Sequence, residues 1–137
     1  MGIQEVEEAA YSEKVKKLLL CLPGEEKVKN LQPDFKKMMK ANSDEEIKGV
    51  IVTSQSDSSY DFISRFFPPW MGIEEDPVTG AAHTVLGPYW SSRLGKKEMK
   101  AFQASSRGGE MTVRLISSER VELVGKVVTV IKGKIFL

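Results

Sequence analysis

An acidic segment that runs into a predicted helix holds the residues best suited to chemistry. Three consecutive carboxylates end at Asp76, Pro77 follows, and small residues begin at Gly80. The first N–H groups of a helix have no intrahelical partner, so they can bind a carboxylate or phosphate, and small side chains let a ligand approach closely. The same residues have a second interpretation of equal weight, in which Asp76 and Thr79 only cap those N–H groups.

The remaining reactive side chains favour structural roles. His83, the only histidine, falls on a nearly apolar helix and is predicted to be a hydrogen-bonded core residue. Cys21, the only cysteine, falls among leucines on a predicted strand and is predicted to be a small buried side chain. Glu74 and Glu75 precede the helix, where carboxylates are usually solvated or stabilised by the helix dipole. One histidine and one cysteine are too few for a structural zinc site, so no metal is expected.

The composition indicates one folded domain and argues against two classes of partner. The 137 residues suit a single compact core. With 20 Lys and Arg against 19 Asp and Glu, the net charge of +1 offers no basic field for nucleic acid. The longest early apolar run, residues 18–22, is far too short for a signal or membrane segment. We therefore expect a cytoplasmic protein that binds neither nucleic acid nor membrane.

Residues 80–94 predict one long buried helix. The segment contains no charged residue before Arg93 and is apolar or small around its whole circumference, so we expect protein on every side of it. Pro88 removes one backbone hydrogen bond and predicts a kink that packing must hold. Gly95 ends the helix, and the two lysines after it suit the negative end of the helix dipole.

The first third of the chain predicts short elements. Residues 1–14 form a polar lead, either a short helix or a loose segment. Residues 17–22 and 27–31 are separated by a proline–glycine pair and predict a β-hairpin. Asp34 can cap a brief helix with one apolar face. Residues 49–53 are β-branched and uncharged, which predicts a strand buried on both faces.

Strands are predicted on both sides of the long helix. Residues 60–67 alternate between two faces and end at two prolines, which indicates a strand. After the helix, strand-like segments occur at residues 99–105, 111–116, 121–124 and 126–137. Together these elements predict an α+β domain in which a mixed β-barrel-like sheet wraps around one buried central helix.

The stretch that surrounds Asp76 resembles a known family signature. Residues 60–83 read YDFISRFFPPWMGIEEDPVTGAAH, which is similar to the signature of the PhzF-like (phenazine biosynthesis-like) isomerase family. The resemblance continues through residues 30–34, 49–53, 86–90 and 106–110. It covers about residues 15–137, which we treat as one domain behind the polar lead 1–14.

The resemblance implies a fold and the outline of a site. The family has the diaminopimelate-epimerase fold, in which two similar lobes, each a mixed barrel around a central helix, enclose the active site between them. This chain resembles the C-terminal lobe. By resemblance Asp76 lies in the catalytic site, and Ala81 replaces the family's usual serine, so one hydroxyl contact is lost. The family's general acid/base glutamate belongs to the N-terminal lobe, and no residue here matches it. The expected substrate-binding residues are Thr79, Gly80, Ala81 and Ala82.

Three functions fit this reading. The first is a truncated PhzF-like protein that binds a small carboxylated metabolite or a partner without a cofactor and without catalysis of its own. The second is a cofactor-independent isomerase or epimerase, completed by homodimerisation or by a separate N-terminal lobe. The third is a purely structural dimer module. In the family fold the terminal strand crosses to the other lobe, so we expect residues 126–137 to be exchanged between copies.

Overall fold

A computed structural model describes residues 1–3, 5–41 and 46–135 and contains a single mixed sheet. The seven strands lie in chain order; β2 with β3 and β4 with β5 are parallel pairs, and the other neighbours are antiparallel. The sheet curls into a half-barrel, so the predicted α+β class with a barrel-like mixed sheet is confirmed. The elements are β1 (Glu8–Ser12), β2 (Lys17–Cys21), α1 (Glu25–Lys29), α2 (Phe35–Ala41), β3 (Gly49–Gln55), β4 (Phe62–Phe67), a 3-10 turn (Pro69–Met71), α3 (Gly80–Leu94), β5 (Glu98–Gln103), β6 (Gly109–Ser117) and β7 (Arg120–Val124).

The helix α3 lies on the inner face of the curled sheet. Leu86 and Trp90 are buried there, and a Cβ added at Gly87 would come within 3.1 Å of Val113 on β6. The helix has the predicted bounds, with Pro88 inside it and Gly95 in the left-handed conformation at its end. At 15 residues it is the longest helix in the described ranges, and none there is long and apolar enough to cross a membrane.

One face of α3 is exposed, which corrects the prediction that the helix is buried all round. Ala81, Thr84 and Pro88 face solvent. The reason is that the sheet covers only part of the helix surface, and the side between β1 and β7 stays open. The small residues on this face led to the prediction of burial, although none of the described residues covers it. Pro88 also points outward, so its ring is accommodated without displacing core side chains.

The outer face of the sheet is covered by α1 and α2, which corrects the predicted hairpin. Residues 25–29 are helical, with the buried Val28 packed against β3 and β4. Gly24 precedes the helix at φ 89°, and two glutamates occupy the first turn. Because β2 and β3 are parallel, the chain between them needs a crossover rather than a tight turn. The predicted cap of α2 is confirmed, since the Lys37 N–H donates to Asp34 Oδ1 at 3.0 Å.

The first residues are also better ordered than their polarity indicates. Within the predicted lead, residues 8–12 form neither a helix nor a loose segment; they form β1, which pairs antiparallel with β2 along its whole length. Ala10 packs against the core beneath the sheet, while its neighbours on the strand face outward. Backbone pairing with a buried strand therefore supplies the order that this stretch lacks in its own apolar content.

The central strands match the sequence, whereas the last predicted strand does not form. β3 is buried on both faces as expected, and β4 is buried on both faces although its sequence alternates, because α3 covers one side and α1 and α2 cover the other. Residues 125–135 form no strand, and the last two residues of the predicted strand 126–137 lie outside the described ranges. The exposed aliphatic side chains there are 85–92% accessible: Val127, Val128, Val130, Ile131 and Ile135.

Candidate functional site

The loop from β4 to α3 carries the predicted site and is anchored first by an ion pair. Arg65 on β4 donates from Nε and Nη2 to the two carboxylate oxygens of Glu75, at 2.7 and 2.8 Å. Both side chains are mostly buried, with accessibilities of 11% and 20%. The prediction that Glu75 is solvated or only dipole-stabilised is therefore wrong, because a buried arginine reaches it. Glu74 is exposed, as predicted.

The same arginine ties the loop to the end of α1. Its Nη1 donates to the carbonyl of Leu31 at 2.7 Å and lies within 3.3 Å of the carbonyls of Val28 and Lys29. The last carbonyls of a helix have no intrahelical partner, so a guanidinium is a suitable donor for them. Arg65 thus joins the outer helical layer to the loop that precedes α3.

A second anchor comes from Gln103 on β5, which the sequence did not single out. The Thr79 N–H donates to Gln103 Oε1 at 2.8 Å, and Gln103 Nε2 donates to the Asp76 carbonyl at 2.6 Å and to Thr79 Oγ1 at 3.1 Å. Gln103 is 1% accessible. A buried amide needs its donors and acceptor satisfied, and the loop supplies all of these partners. The sequence signal for this role was a glutamine at a position of β5 whose alternation predicts an inward-facing side chain.

The two anchors fix the position of Asp76. Its N–H donates to the Phe66 carbonyl at 3.0 Å, and its Oδ2 accepts a hydrogen bond from Thr79 Oγ1 at 2.6 Å. The side chain is half-buried. One carboxylate oxygen is therefore held by Thr79, and the orientation of the group is set by the protein before any ligand is present.

The start of α3 is left uncapped by these residues. Thr79 occupies the N-cap position but makes no side-chain cap hydrogen bond. Gly80 and Ala81 are exposed, whereas Ala82 is buried. Within the described part of the chain, no hydrogen bond uses the N–H groups of Gly80, Ala81 or Ala82. The alternative in which Asp76 and Thr79 merely cap the helix does not describe this geometry, since the two side chains bond to each other.

His83 and Cys21 lie where the sequence places them. His83 is fully buried, and its Nδ1 donates to the Thr79 carbonyl at 2.8 Å, so it is the hydrogen-bonded core residue predicted. Burial lowers the pKa of its imidazole, and its Nε2 has no partner among the described residues. Cys21 is 5% accessible on β2, and burial raises the pKa of its thiol.

Sequence comparison gives concordant matches. The family model described as phenazine biosynthesis-like protein matches residues 3–133. A phenazine biosynthesis-like domain-containing protein of Bos taurus is 40% identical over 141 residues, which cover 97% of this chain and 49% of the relative. An uncharacterized isomerase of Pseudomonas aeruginosa is 47% identical over 121 residues, which cover 88% of this chain and 44% of the relative.

Solved structures agree with the sequence matches. The crystal structure of a PhzC/PhzF-type phenazine biosynthesis protein from Clostridium difficile matches with a TM-score of 0.82 at 35% identity, over 97% of this chain and 48% of that one. A PhzF family protein of Enterococcus faecalis matches with a TM-score of 0.75 at 39% identity, over 85% and 42% of the two chains. The chain spans about half the length of the relatives it matches, which is consistent with one lobe.

Proposed function

This chain belongs to the phenazine biosynthesis-like (PhzC-PhzF) family, and we propose that it is a ligand-binding lobe: the start of α3 binds a small carboxylated metabolite, and another lobe supplies the rest of the site. The observation that carries the proposal is the uncapped first turn of α3 beside an oriented Asp76. Free N–H groups and the positive end of the helix dipole favour an anion there.

The small residues at the helix start support a close approach from outside. A Cβ added at Gly80 would meet only Leu123 of β7, at the ordinary contact distance of 3.6 Å. Neither the packing of this chain nor a left-handed backbone requires glycine at this position. Space for a ligand or a partner above the helix start is a sufficient reason for it.

Asp76 restricts the chemistry of the ligand. A carboxylate next to the bound anion is unfavourable unless the ligand also carries a hydrogen-bond donor for it. We therefore expect a small acid with an amino or hydroxyl group near its carboxylate. The acid binds the N–H groups of α3, and the donor group faces Asp76 Oδ1, the oxygen that Thr79 does not hold.

The second lobe is suggested by surfaces that this chain leaves uncovered. The open face of α3 forms one wall of a groove of about 630 Å³, and the turns after β1 and before β7 form the others, with Thr84, Val85, Pro88 and Val121 in its lining. The aliphatic segment 126–135 is exposed on the same chain. Apolar surfaces of this kind mark interfaces. We expect a second copy, arranged symmetrically, or a complementary N-terminal lobe to cover them.

Isomerisation or epimerisation by a completed two-lobed site is the second candidate, and the isomerase name of the Pseudomonas aeruginosa relative favours it. Proton transfer needs an acid/base group within about 3 Å of the reacting atom, and such a group contributes roughly 10²–10⁴-fold. Asp76 is the only predicted catalytic residue in the loop, and its Oδ2 is already bonded to Thr79. For this chain alone we therefore expect binding without comparable turnover, and we place that binding in the cytoplasm.

A binding experiment with a matched control tests the proposal. Amide NMR of the chain is followed during titration with dihydro-hydroxy aromatic acids, amino acids and their neutral amides. We expect the acids alone to shift the N–H signals of residues 80–82. Ala81→Glu places a competing carboxylate at the helix start and should weaken binding more than about 10-fold, whereas Thr84→Glu, one turn further along the same exposed face, should change it less than about 2-fold. Equal responses of the two variants contradict the proposal.

Solvent-deuterium incorporation into the same acids separates binding from catalysis. We expect the chain alone to exchange more slowly, by at least about 10²-fold, than a complete two-lobed family member. Asp76→Asn is the control. Fast, saturable exchange that this substitution abolishes would favour the isomerase candidate over the ligand-binding lobe.

A further inference from the structure

The N-cap residue of α3 has its hydroxyl turned away from the helix. A threonine at this position usually accepts a hydrogen bond from the second or third N–H of the helix, here Ala81 or Ala82. Thr79 instead donates its hydroxyl proton to Asp76 Oδ2 at 2.6 Å. The hydroxyl oxygen of Thr79 in turn accepts a hydrogen bond from Gln103 Nε2 at 3.1 Å, and no cap bond forms.

Gln103 holds Thr79 through two separate atoms. Its Oε1 accepts the Thr79 N–H at 2.8 Å and its Nε2 reaches Thr79 Oγ1, so both the backbone and the hydroxyl of Thr79 are fixed. A second hydrogen bond of Nε2, to the Asp76 carbonyl at 2.6 Å, sets the spacing of Asp76 and Thr79. Only a side chain with both an acceptor and two donors can make this set; glutamate lacks the donors, and methionine lacks the donors and has only a weakly accepting sulfur.

We infer that Gln103 is a positioning residue that keeps the helix start uncapped. It diverts the Thr79 hydroxyl to Asp76 and so leaves the N–H groups of residues 81 and 82 available to an outside acceptor. The consequence for ligand affinity rests on the proposed function, whereas the consequence for the cap does not. A buried glutamine that merely stabilises the loop would have no effect on which group caps α3.

Three variants and two readouts test the inference. Gln103→Met keeps the length of the side chain and removes its hydrogen bonds, so Thr79 can turn back and cap the helix. Amide hydrogen exchange at Ala81 and Ala82 should then slow by about fivefold, the equilibrium factor of one N-cap hydrogen bond, and affinity for inorganic phosphate should fall by about the same factor. Thr79→Val alone should leave amide exchange at Ala81 and Ala82 within about twofold of wild type, because the hydroxyl is not a cap.

The double variant Gln103→Met/Thr79→Val decides between positioning and general stabilisation. With no hydroxyl left to cap α3, amide exchange at Ala81 and Ala82 should return towards wild type. Exchange that is not slowed in Gln103→Met, or slowing that persists in the double variant, overturns the inference. If Gln103→Met does not fold, the comparison of wild type with Thr79→Val decides: a change of about fivefold or more in exchange at residues 81 and 82 shows that Thr79 already caps the helix.

Failure of the proposed function gives a different result. If phosphate and the acids do not bind the wild-type chain, but exchange at residues 81 and 82 responds to the variants as expected, Gln103 still controls the cap and the ligand-binding proposal is wrong. If phosphate binds and the exchange rates do not respond, the ligand-binding proposal stands and Gln103 only stabilises the loop.

Discussion

The loop before α3 and the segment after β7 are opposites within one chain. The loop has few apolar residues to bury, yet Glu75, Asp76 and Thr79 are all held by hydrogen bonds from two sides. Residues 126–135 are rich in β-branched side chains that favour strands, yet they form none and are exposed. Of these two regions, the apolar segment is the one that no described part of the chain covers.

The difference follows from what each region needs. Polar groups of the loop are satisfied by single side chains, Arg65 and Gln103, that the sheet brings within reach. A strand needs a whole edge of another strand for its backbone and a surface for its side chains. The lobe therefore builds the start of α3 by itself, whereas for the terminal segment we expect a second lobe or a second copy to supply the missing surface. The predictions below test the two halves of this contrast.

The largest effect is expected from the terminal segment. Burying one Val or Ile side chain is worth roughly 1.5–3 kcal/mol, and five are exposed here. We expect the chain to self-associate at high micromolar concentration, and removal of residues 126–137 to weaken association by more than about 10²-fold. Light scattering measures the mass of both forms.

A matched control separates the segment from general surface hydrophobicity. Ile116→Asp changes an aliphatic residue of β6 that is also exposed, at 61%, and it should leave association unchanged. A chain that stays monomeric at high micromolar concentration, with or without the segment, would show that these residues need no partner.

The second effect concerns the ion pair that anchors the loop. Arg65→Met leaves Glu75 buried without its partner and removes the donors to the carbonyls at the end of α1. Removal of one member of a buried pair costs about 3–5 kcal/mol, and since Glu75 is 20% accessible we expect the lower value of about 3 kcal/mol. Urea unfolding gives the free energy of unfolding. Arg65→Lys keeps the charge but not the paired geometry and should lose less; equal stability of all three proteins would mean that the pair anchors nothing.

The smallest effect is a pH dependence at the base of the site. Burial lowers the pKa of His83, so the folded state keeps the imidazole neutral while the unfolded state binds a proton below about pH 6.5. The unfolded state then binds more protons, and stability falls as the pH is lowered through this range, by up to about 1.4 kcal/mol per pH unit. His83 is the only histidine. His83→Gln should therefore flatten the slope of unfolding free energy between about pH 6.5 and 5.5; an unchanged slope would point to carboxylates instead.

The sequence predicted helix ends, caps and strands correctly where the structure depends on residues close together in the chain. Gly80 and Gly95 mark the ends of α3, Asp34 caps α2, and residues 49–53 form a buried strand, because caps, glycines and β-branched runs act within a few residues. The predictions were wrong where contact with a different helix or strand determines the local structure. Residues 25–29 became helical because β2 and β3 are parallel, and residues 8–12 became a strand because β2 offered them an edge.

The candidate site divides in the same way. Asp76, Thr79 and the small residues at the helix start could be singled out from their types and spacing, as could the family to which they belong. Their arrangement could not, because Arg65 lies 10 residues from Glu75 and Gln103 lies 24 residues from Thr79. Whether Thr79 caps α3 or donates its hydroxyl to Asp76 depends on Gln103, which contacts it from β5. The sequence by itself determined the helix α3 and which N–H groups lie at its start. Contacts between residues far apart in the chain determined that these N–H groups are left uncapped.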